Sequence, residues 1–591
     1  MSSSRKWFGI IALAMLLGAL LLSFGSAPTV NAAQPAPVQR FVAIAKSDAD
    51  FAALRAEAIK AGGKILREMP AIKMLVVAAP GGFKDKLKAS PHAAGVAPDR
   101  VQKLIRPEMQ AEFFGTTALR QRINLGASPN LNKPPVIPDP AFNLSGLMWN
   151  VLRIRAPEGW KITTGNPLVK VGVADTGLDF THSELKTRIA DVVDLTVNED
   201  PPLCKYYFGL SDADLASMYG GPATTDWNGH GSWIGGNIAG ALDGVGINGI
   251  APNVKLVALK ISQWCGYAFE STILDAFIYA ADHGINIVSI SFGGYSDLQD
   301  PDQLAMYKQF VAAVAYARLK GTVIVASAGN EHARIGPGGL VMSHGILTAP
   351  GGTVQDLYGW FQTPGGVPGV VDVAATGNVV NATSPSCPAG TTGNNATCKP
   401  ASDAHPPIGV GKQNQLAYYS NYGPRIDVAA PGGARKFNLP RWDRGGTPGY
   451  PVTTADGYNA WETFSVTSNW STQIPCYYWT SSSIFYTYEC YSTIQGTSMA
   501  TPHVSAALAL IASQNPVARR DPNLLVLLMK QGAQKISGNV TPPLSATDKS
   551  GGDLDGLSCP GGYCHLGGNP IPDPEAYGAG LVDASRLLVP R

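Results

Sequence analysis

Three short motifs carry side chains that together could activate a nucleophile. Val171-Gly-Val-Ala-Asp175-Thr-Gly177 sets an acid at the end of an apolar run. Asp226-Trp-Asn-Gly-His230-Gly-Ser232 sets an imidazole at the start of a helical stretch, and Gln495-Gly-Thr-Ser498-Met-Ala-Thr-Pro502-His-Val504 does the same for a hydroxyl. A serine hydroxyl is a poor nucleophile until an imidazole takes its proton, and the imidazole needs a carboxylate to hold its tautomer and stabilise its cation. Asp-Thr-Gly alone also fits a two-carboxylate dyad, but it occurs only once here. Taken singly, Asp175 reads as a turn residue, His230 as a helix cap and Ser498 as an N-cap. Taken in the order Asp175, His230, Ser498, they read as acyl-transfer chemistry, because that is one of three chain orders known for this geometry.

Such a set needs a rigid frame. Leu168–Val173, Val254–Ile261, Ile285–Ser291 and Thr322–Ala326 are short runs rich in Val, Ile and Leu. Helical stretches such as His230–Ala239, Glu270–His283 and Asp302–Lys320 alternate with them. Continuous apolar strands between helices predict an α/β fold with a mainly parallel sheet covered on both faces. Ahead of it, Arg40–Ala45, a helix over Phe51–Ala61, strands Lys64–Glu68 and Ile72–Ala78, a helix Phe83–Ala89 and Val101–Ile105 give the order βαββαβ of a small ferredoxin-like α+β unit. Residues 106–148, rich in Pro, Asn and Gly, read as a linker. Two segments break the α/β rhythm, 331–369 and 433–495. The second is full of Tyr, Trp, Ser and Thr and reads as an aromatic surface loop rather than a carbohydrate or nucleic-acid platform.

With 45 Lys+Arg against 43 Asp+Glu there is no electrostatic case for nucleic acid as a partner. The 15% charged content excludes a charge-rich disordered chain. Arg5 and Lys6 precede an apolar run from Trp7 to Phe24, and Val30 and Ala32 have the spacing of a signal cleavage site, with an uncleaved anchor as the alternative. The reading is a secreted, extracellular protein, with a periplasmic or envelope-associated location left open and no membrane contact after cleavage. All eight cysteines lie at or beyond residue 204. Export favours disulfides, and adjacency suggests Cys387/Cys398, Cys476/Cys490, Cys559/Cys564 and Cys204/Cys265.

Residues 148 to 588 resemble the subtilisin (subtilase) family of serine proteases. All three motifs match in order, as do Gly249-Ile-Ala-Pro252, Ser291-Phe-Gly-Gly294, Ala326-Ser-Ala-Gly-Asn330, Ser420-Asn-Tyr-Gly423, Asp427-Val-Ala-Ala-Pro-Gly432 and Tyr577-Gly-Ala-Gly-Leu-Val-Asp583. Residues 40–105 resemble the family's inhibitory propeptide, down to Val96-Ala-Pro-Asp-Arg100. The resemblance implies a signal peptide (1–32), an inhibitory propeptide (33–107), a linker holding the maturation site (108–147) and a catalytic domain (148–591). Asp175 then orients the base, His230 is the general acid/base, Ser498 the nucleophile and Asn330 an oxyanion donor. Ser291, Phe292 and Gly293 with Ala326, Ser327, Ala328 and Gly329 form the pocket walls. Being small and uncharged, they imply an apolar P1 preference, with Glu331 as the residue that could admit Lys or Arg. No cofactor is implied for the chemistry. A structural calcium is implied at Glu184, Asp243 and the carbonyls of Ala241, Val245 and Ile247. Ser232 in place of threonine, Trp233 beside it, and Ser183 in place of proline depart from the pattern without removing a reacting atom. The implied protein is a monomeric, autoprocessed endopeptidase acting on proteins or peptides, held by its own propeptide. The alternative is an inactive binding or adhesion protein on the same fold.

Overall fold

The structure is a computed structural model that describes residues 39–104, 112–115, 148–200, 202–243, 246–343, 346–348, 354–377, 416–417, 419–433, 466–470, 476–479, 484–487, 490–536 and 571–586. The signal segment, most of the expected linker and parts of both insertions lie outside them.

The frame is a seven-stranded parallel sheet in the order Val428–Pro431, Val371–Thr376, Val323–Ser327, Ile287–Ile290, Lys170–Asp175, Lys255–Lys260, Ile189–Asp194. Four of these strands are the Val/Ile/Leu runs of the sequence. The other three are less legible: Ile189–Asp194 alternates with acids as an edge strand, and Val371–Thr376 and Val428–Pro431 are half alanine or proline. Alternate residues serve opposite faces. Val171, Val173, Val325 and Val373 pack with Trp233, Met499 and Val504 of one helix layer. Ala174, Val288, Ile290 and Ala326 pack with Leu274, Phe277, Phe310 and Val314 of the other. Helices His230–Ala239, Glu270–Asp282, Pro301–Leu319 and Thr497–Gln514 supply those layers.

The N-terminal unit is a four-stranded antiparallel sheet in the order Lys64–Met69, Met74–Ala79, Gln39–Ala45, Ala93–Pro98, with helices Asp48–Lys60 and Phe83–Lys88. One expectation is corrected here. The closing strand of this sheet is Ala93–Pro98, whose small residues carry little strand propensity. Val101–Leu104 leaves the sheet and pairs antiparallel with Tyr267–Phe269 and Phe292–Ser296 of the large domain. The unit's sheet is buried on both faces. Phe41, Leu54, Leu75 and Phe83 form its own core, while Val42, Met74 and Val76 join the core of the large domain beside Phe310.

The two irregular segments contribute strands. Phe361–Thr363 extends the second sheet by pairing with Phe292–Ser296. Cys490–Ile494 pairs with Val466–Trp470 and with Glu112–Gly115, so the stretch read as linker contains a strand. Cys204 and Cys265 are disulfide-bonded. Cys387/Cys398 and Cys559/Cys564 lie outside the described residues, as do the side chains of Cys476/Cys490. No helix among the described residues is long and apolar enough to cross a membrane.

Near that disulfide, Glu199 is buried and its Oε2 accepts from Leu203 N–H (3.1 Å) and Gln263 Nε2 (3.2 Å). Burial pushes its carboxyl from 4.5 up to about 8, against the opposing Leu203 N–H bond. The folded state therefore holds a proton that the unfolded chain has released, and stability should fall as pH rises from about 4.5 to 8. Glu199→Gln should flatten that decline in urea midpoints measured across the range. An unchanged slope would remove Glu199 as its source.

Candidate active site

Asp175 ends the central strand Lys170–Asp175, and His230 opens the helix His230–Ala239. Both are buried, and Asp175 Oδ1 lies 2.9 Å from His230 Nδ1. Asp175 Oδ1 also accepts from the Thr176 N–H at 2.8 Å. The carboxylate thus places the proton on Nδ1. The far ring nitrogen, Nε2, has no hydrogen-bond partner among the described residues and is the basic site.

A second carboxylate holds the histidine turn. Asp226 Oδ1 accepts from Thr176 Oγ1 (2.9 Å), Asn228 N–H (3.0 Å) and Gly229 N–H (2.8 Å). Its Oδ2 accepts from the Ser232 N–H and hydroxyl, both at 2.8 Å. It therefore caps the helix that carries His230. Burial pushes the Asp226 carboxyl up, and the Gly229 N–H, the Lys260 charge and Ser232 oppose it. Lys260, fully buried, donates to the Thr176 carbonyl (2.5 Å) and the Thr225 carbonyl (3.1 Å) and pairs with Asp212 (2.7 Å). Ser232 keeps the hydroxyl that this cap uses, also accepting from Asp179 N–H at 2.8 Å. Gly231 is required sterically, since a Cβ there would lie 2.0 Å from the Gly177 carbonyl oxygen. Trp233 points into the core shared with the serine helix.

Ser498 is buried in the first turn of Thr497–Gln514, and its carbonyl accepts from the Ser291 hydroxyl at 3.4 Å. Asn330 is tied to the same turn. Its Oδ1 accepts from the Thr497 N–H (3.0 Å) and the Thr497 hydroxyl (2.8 Å). Thr497 Oγ1 in turn accepts from the Gly329 N–H at 3.2 Å. The amide oxygen is so engaged, and the amide nitrogen is the donor end of this side chain. Gly329 sits at φ +98, and a Cβ there would strike Asn421 and Glu331. Farther along the helix, His503 bonds the Met499 carbonyl (2.8 Å) and Asn150 (2.9 Å), and burial lowers its pKa to about 3. It is a neutral packing residue that pins the helix Trp149–Arg153.

The strand Val101–Leu104 lies beside the residues expected as one pocket wall. Leu104 lies opposite Phe292 and Lys103 opposite Gly293, so a peptide strand runs along Ser291-Phe292-Gly293 toward Ser498. The Ala328 carbonyl accepts from Gln362 and Asn421, both at 2.6 Å. Glu331 accepts from the Tyr295 hydroxyl (2.6 Å) and Asn421 (3.3 Å). At the start of the helix Glu270–Asp282, Asp99 accepts from the Ser271 N–H (3.1 Å) and hydroxyl (2.6 Å) and is paired with Arg40 (2.6 Å).

A model of the subtilase family matches residues 167–533. The chain belongs to the subtilase family. Among relatives, this subtilase is 25% identical to fervidolysin of Fervidobacterium pennivorans over 494 residues, covering 81% of this chain and 53% of that protein. It is 25% identical to the thermophilic serine proteinase of Bacillus sp. (strain AK1) over 386 residues, covering 65% and 60%. The subtilase thus spans little more than half the length of these relatives. In fold it is similar to the crystal structure of fervidolysin (TM-score 0.52, 19% identity, 95% and 62% covered). It is likewise similar to that of the epidermin leader peptide processing serine protease of Staphylococcus aureus (TM-score 0.54, 16% identity, 94% and 98% covered).

Sequence reading did not single out Asp226, Thr176 or Thr497 for a role, although all three stand inside the quoted motifs. Lys260, Glu270, Gln102 and Tyr491 carried no local signal. Tyr491 bears on the expected calcium site. It is fully buried, its hydroxyl donates to Glu184 Oε1 at 2.9 Å, and its ring packs edge-on against His182. Ile247 N–H donates to the same oxygen at 3.1 Å. Arg188 supplies positive charge to both Asp243 and Glu184. Among the described residues no three His, Cys, Asp or Glu side chains converge as a metal site, and Val245 lies outside them. Calcium needs six to eight oxygens. Tyr491 and Ile247 engage Oε1 of Glu184, one oxygen of the expected ligand set. Calcium is not used in the function proposed below. A calcium ion held at Glu184 and Asp243 should slow thermal inactivation in millimolar calcium relative to EDTA. Equal lifetimes in the two would retire the site.

Proposed function

We propose that this subtilase is a serine endopeptidase, made as a zymogen whose N-terminal unit inhibits it until self-cleavage between residues 106 and 147. The observation that carries the reading is the peptide strand Val101–Leu104, laid antiparallel between two strand edges and directed at the Ser498 turn. Substrate backbone takes that place. His230 Nε2 removes the Ser498 proton as Oγ attacks the carbonyl, and Asp175 stabilises the resulting imidazolium. The Asn330 amide and the Ser498 N–H receive the developing oxyanion. His230 then returns the proton to the leaving amine, and water releases the acyl group by the same relay.

The walls Ser291–Gly293 and Ala326–Gly329 are small and uncharged, and Glu331 is engaged by Tyr295 and Asn421. Both support an apolar P1 preference. The Cys204–Cys265 bridge supports export to an oxidising compartment. The test is to express the full chain, follow its self-cleavage, and assay casein hydrolysis before and after adding back the released segment. Hydrolysis that appears with processing and is suppressed by the segment is the expected result. A fully processed chain that leaves casein intact would favour the binding-protein alternative.

A further inference from the structure

The strand on the cleft carries one side chain into a chemically distinctive pocket. Gln102 and Leu104 alternate onto the buried face of Val101–Leu104, while Val101 and Lys103 lie half-buried on the other. Gln102 Nε2 donates to Glu270 Oε1 at 3.1 Å and to Thr363 Oγ1 at 2.8 Å. Gly294 lies against its Cγ, at ordinary contact distance for a Cβ placed there. Glu270 and Thr363 are fully buried, and Glu270 stands at the first position of the helix Glu270–Asp282. The Arg100 guanidinium reaches the same Glu270 Oε1 at 3.2 Å. The second oxygen of Glu270, Oε2, has no hydrogen-bond partner among the described residues.

Both groups that satisfy this carboxylate from outside the large domain come from the N-terminal unit. When that unit departs, Glu270 faces water in an otherwise enclosed pocket. An aliphatic side chain entering there strips the water and returns no donor, leaving a buried acceptor unpaired. A side chain that brings N–H groups restores what Arg100 and Gln102 supplied, and a cationic one also meets the charge.

We infer that the Glu270–Thr363 pocket is a specificity subsite for the substrate side chain aligned with Gln102, selecting Lys or Arg first, Gln next, and rejecting aliphatic and acidic residues. The inference rests on the peptidase reading and adds to it the substrate class at one position. It is separate from the apolar P1 preference, because Gln102 meets Glu270, Thr363 and Gly294, none of which belongs to the walls Ser291–Gly293 and Ala326–Gly329. Discrimination between a donor and an aliphatic side chain should be about 10–100-fold, the cost of one unpaired buried group expressed as a rate ratio.

The test uses the full-length protein after its own processing. Peptides spanning residues 99–110, with Lys, Arg, Gln, Leu, Phe or Glu at position 102, are measured as kcat/KM where cut and as Ki where not. Lys, Arg and Gln should exceed Leu by at least tenfold. Glu270→Gln should remove the advantage of Lys over Gln while Gln stays ahead of Leu. Glu270→Leu should reverse the order, and Thr363→Val, the milder change should that variant fold poorly, should narrow the gap between Gln and Leu. Equal values for Gln, Lys and Leu, with hydrolysis still dependent on Ser498, would overturn the subsite and leave the peptidase standing. Absence of Ser498-dependent hydrolysis of any peptide or of casein would overturn the peptidase reading and the subsite with it.

Discussion

Ser498→Ala should leave the purified chain uncut between residues 106 and 147 and lower casein hydrolysis by about 10⁶-fold, the loss known for the serine of a subtilisin. The reason is the arrangement around His230. Asp175 fixes Nδ1 at 2.9 Å and leaves Nε2 as the basic nitrogen, but that base has nothing to activate once the hydroxyl is gone. His230→Ala should cost about as much, and the double variant little more, because the two side chains act as one unit. The hydroxyl deletion is small and buried in the first turn of a long, well-packed helix, so the fold should persist. Intact mass and melting temperature check that directly. A Ser498→Ala precursor that matures normally in the absence of other proteases would sink self-processing, whatever its effect on casein.

What made this site legible was locality. Asp175, His230 and Ser498 each sit beside glycines within a few residues of an element end, and the four Val/Ile/Leu runs that aim them are dense enough in apolar residues to read as buried strands. The N-terminal unit was legible for the same reason up to the helix Phe83–Lys88. It ceased to be so at Ala93–Pro98, where alanine, glycine and proline carry a strand that only neighbouring backbone stabilises. Long-range contacts were invisible. Gln102 meets Glu270 across 168 positions, and that meeting depends on Val101–Leu104 leaving its own sheet for another domain. Tyr491 reads in sequence as one of many aromatics in an irregular segment. Yet strand pairing of Cys490–Ile494 delivers its hydroxyl to Glu184, 307 positions away. Glu184 and Asp243 are expected as calcium ligands because spacing records where carboxylates stand along the chain. It does not record which donors reach them after folding, and at Glu184 Oε1 those include a tyrosine and a backbone N–H.

Asn330→Ala should lower kcat by about 100–1000-fold with KM nearly unchanged, equivalent to about 2.7–4 kcal/mol of transition-state stabilisation, the range found for this donor in subtilisin. Its effect falls on kcat because the negative charge that the amide meets exists only after Ser498 attacks. The variant has a second consequence that must be separated from the first. Asn330 Oδ1 is the acceptor for both the N–H and the hydroxyl of Thr497, so alanine also leaves the turn before Ser498 without its anchor. Asn330→Asp separates the two effects. It keeps an oxygen for Thr497 but replaces the donating nitrogen with a second, negatively charged oxygen, so the anchor survives while the oxyanion meets repulsion. If stabilising the oxyanion is the role, Asp should be at least as damaging as Ala. If anchoring Thr497 is the role, Asp should recover most of the activity. Thr497→Val tests the anchor from its other end. It removes the hydroxyl bond while the Thr497 N–H still holds Oδ1, and it should cost far less than either change at Asn330. Steady-state kcat and KM for the four proteins on one peptide, with melting temperatures alongside, decide the matter. Asn330→Ala within threefold of the parent would remove the amide from the mechanism.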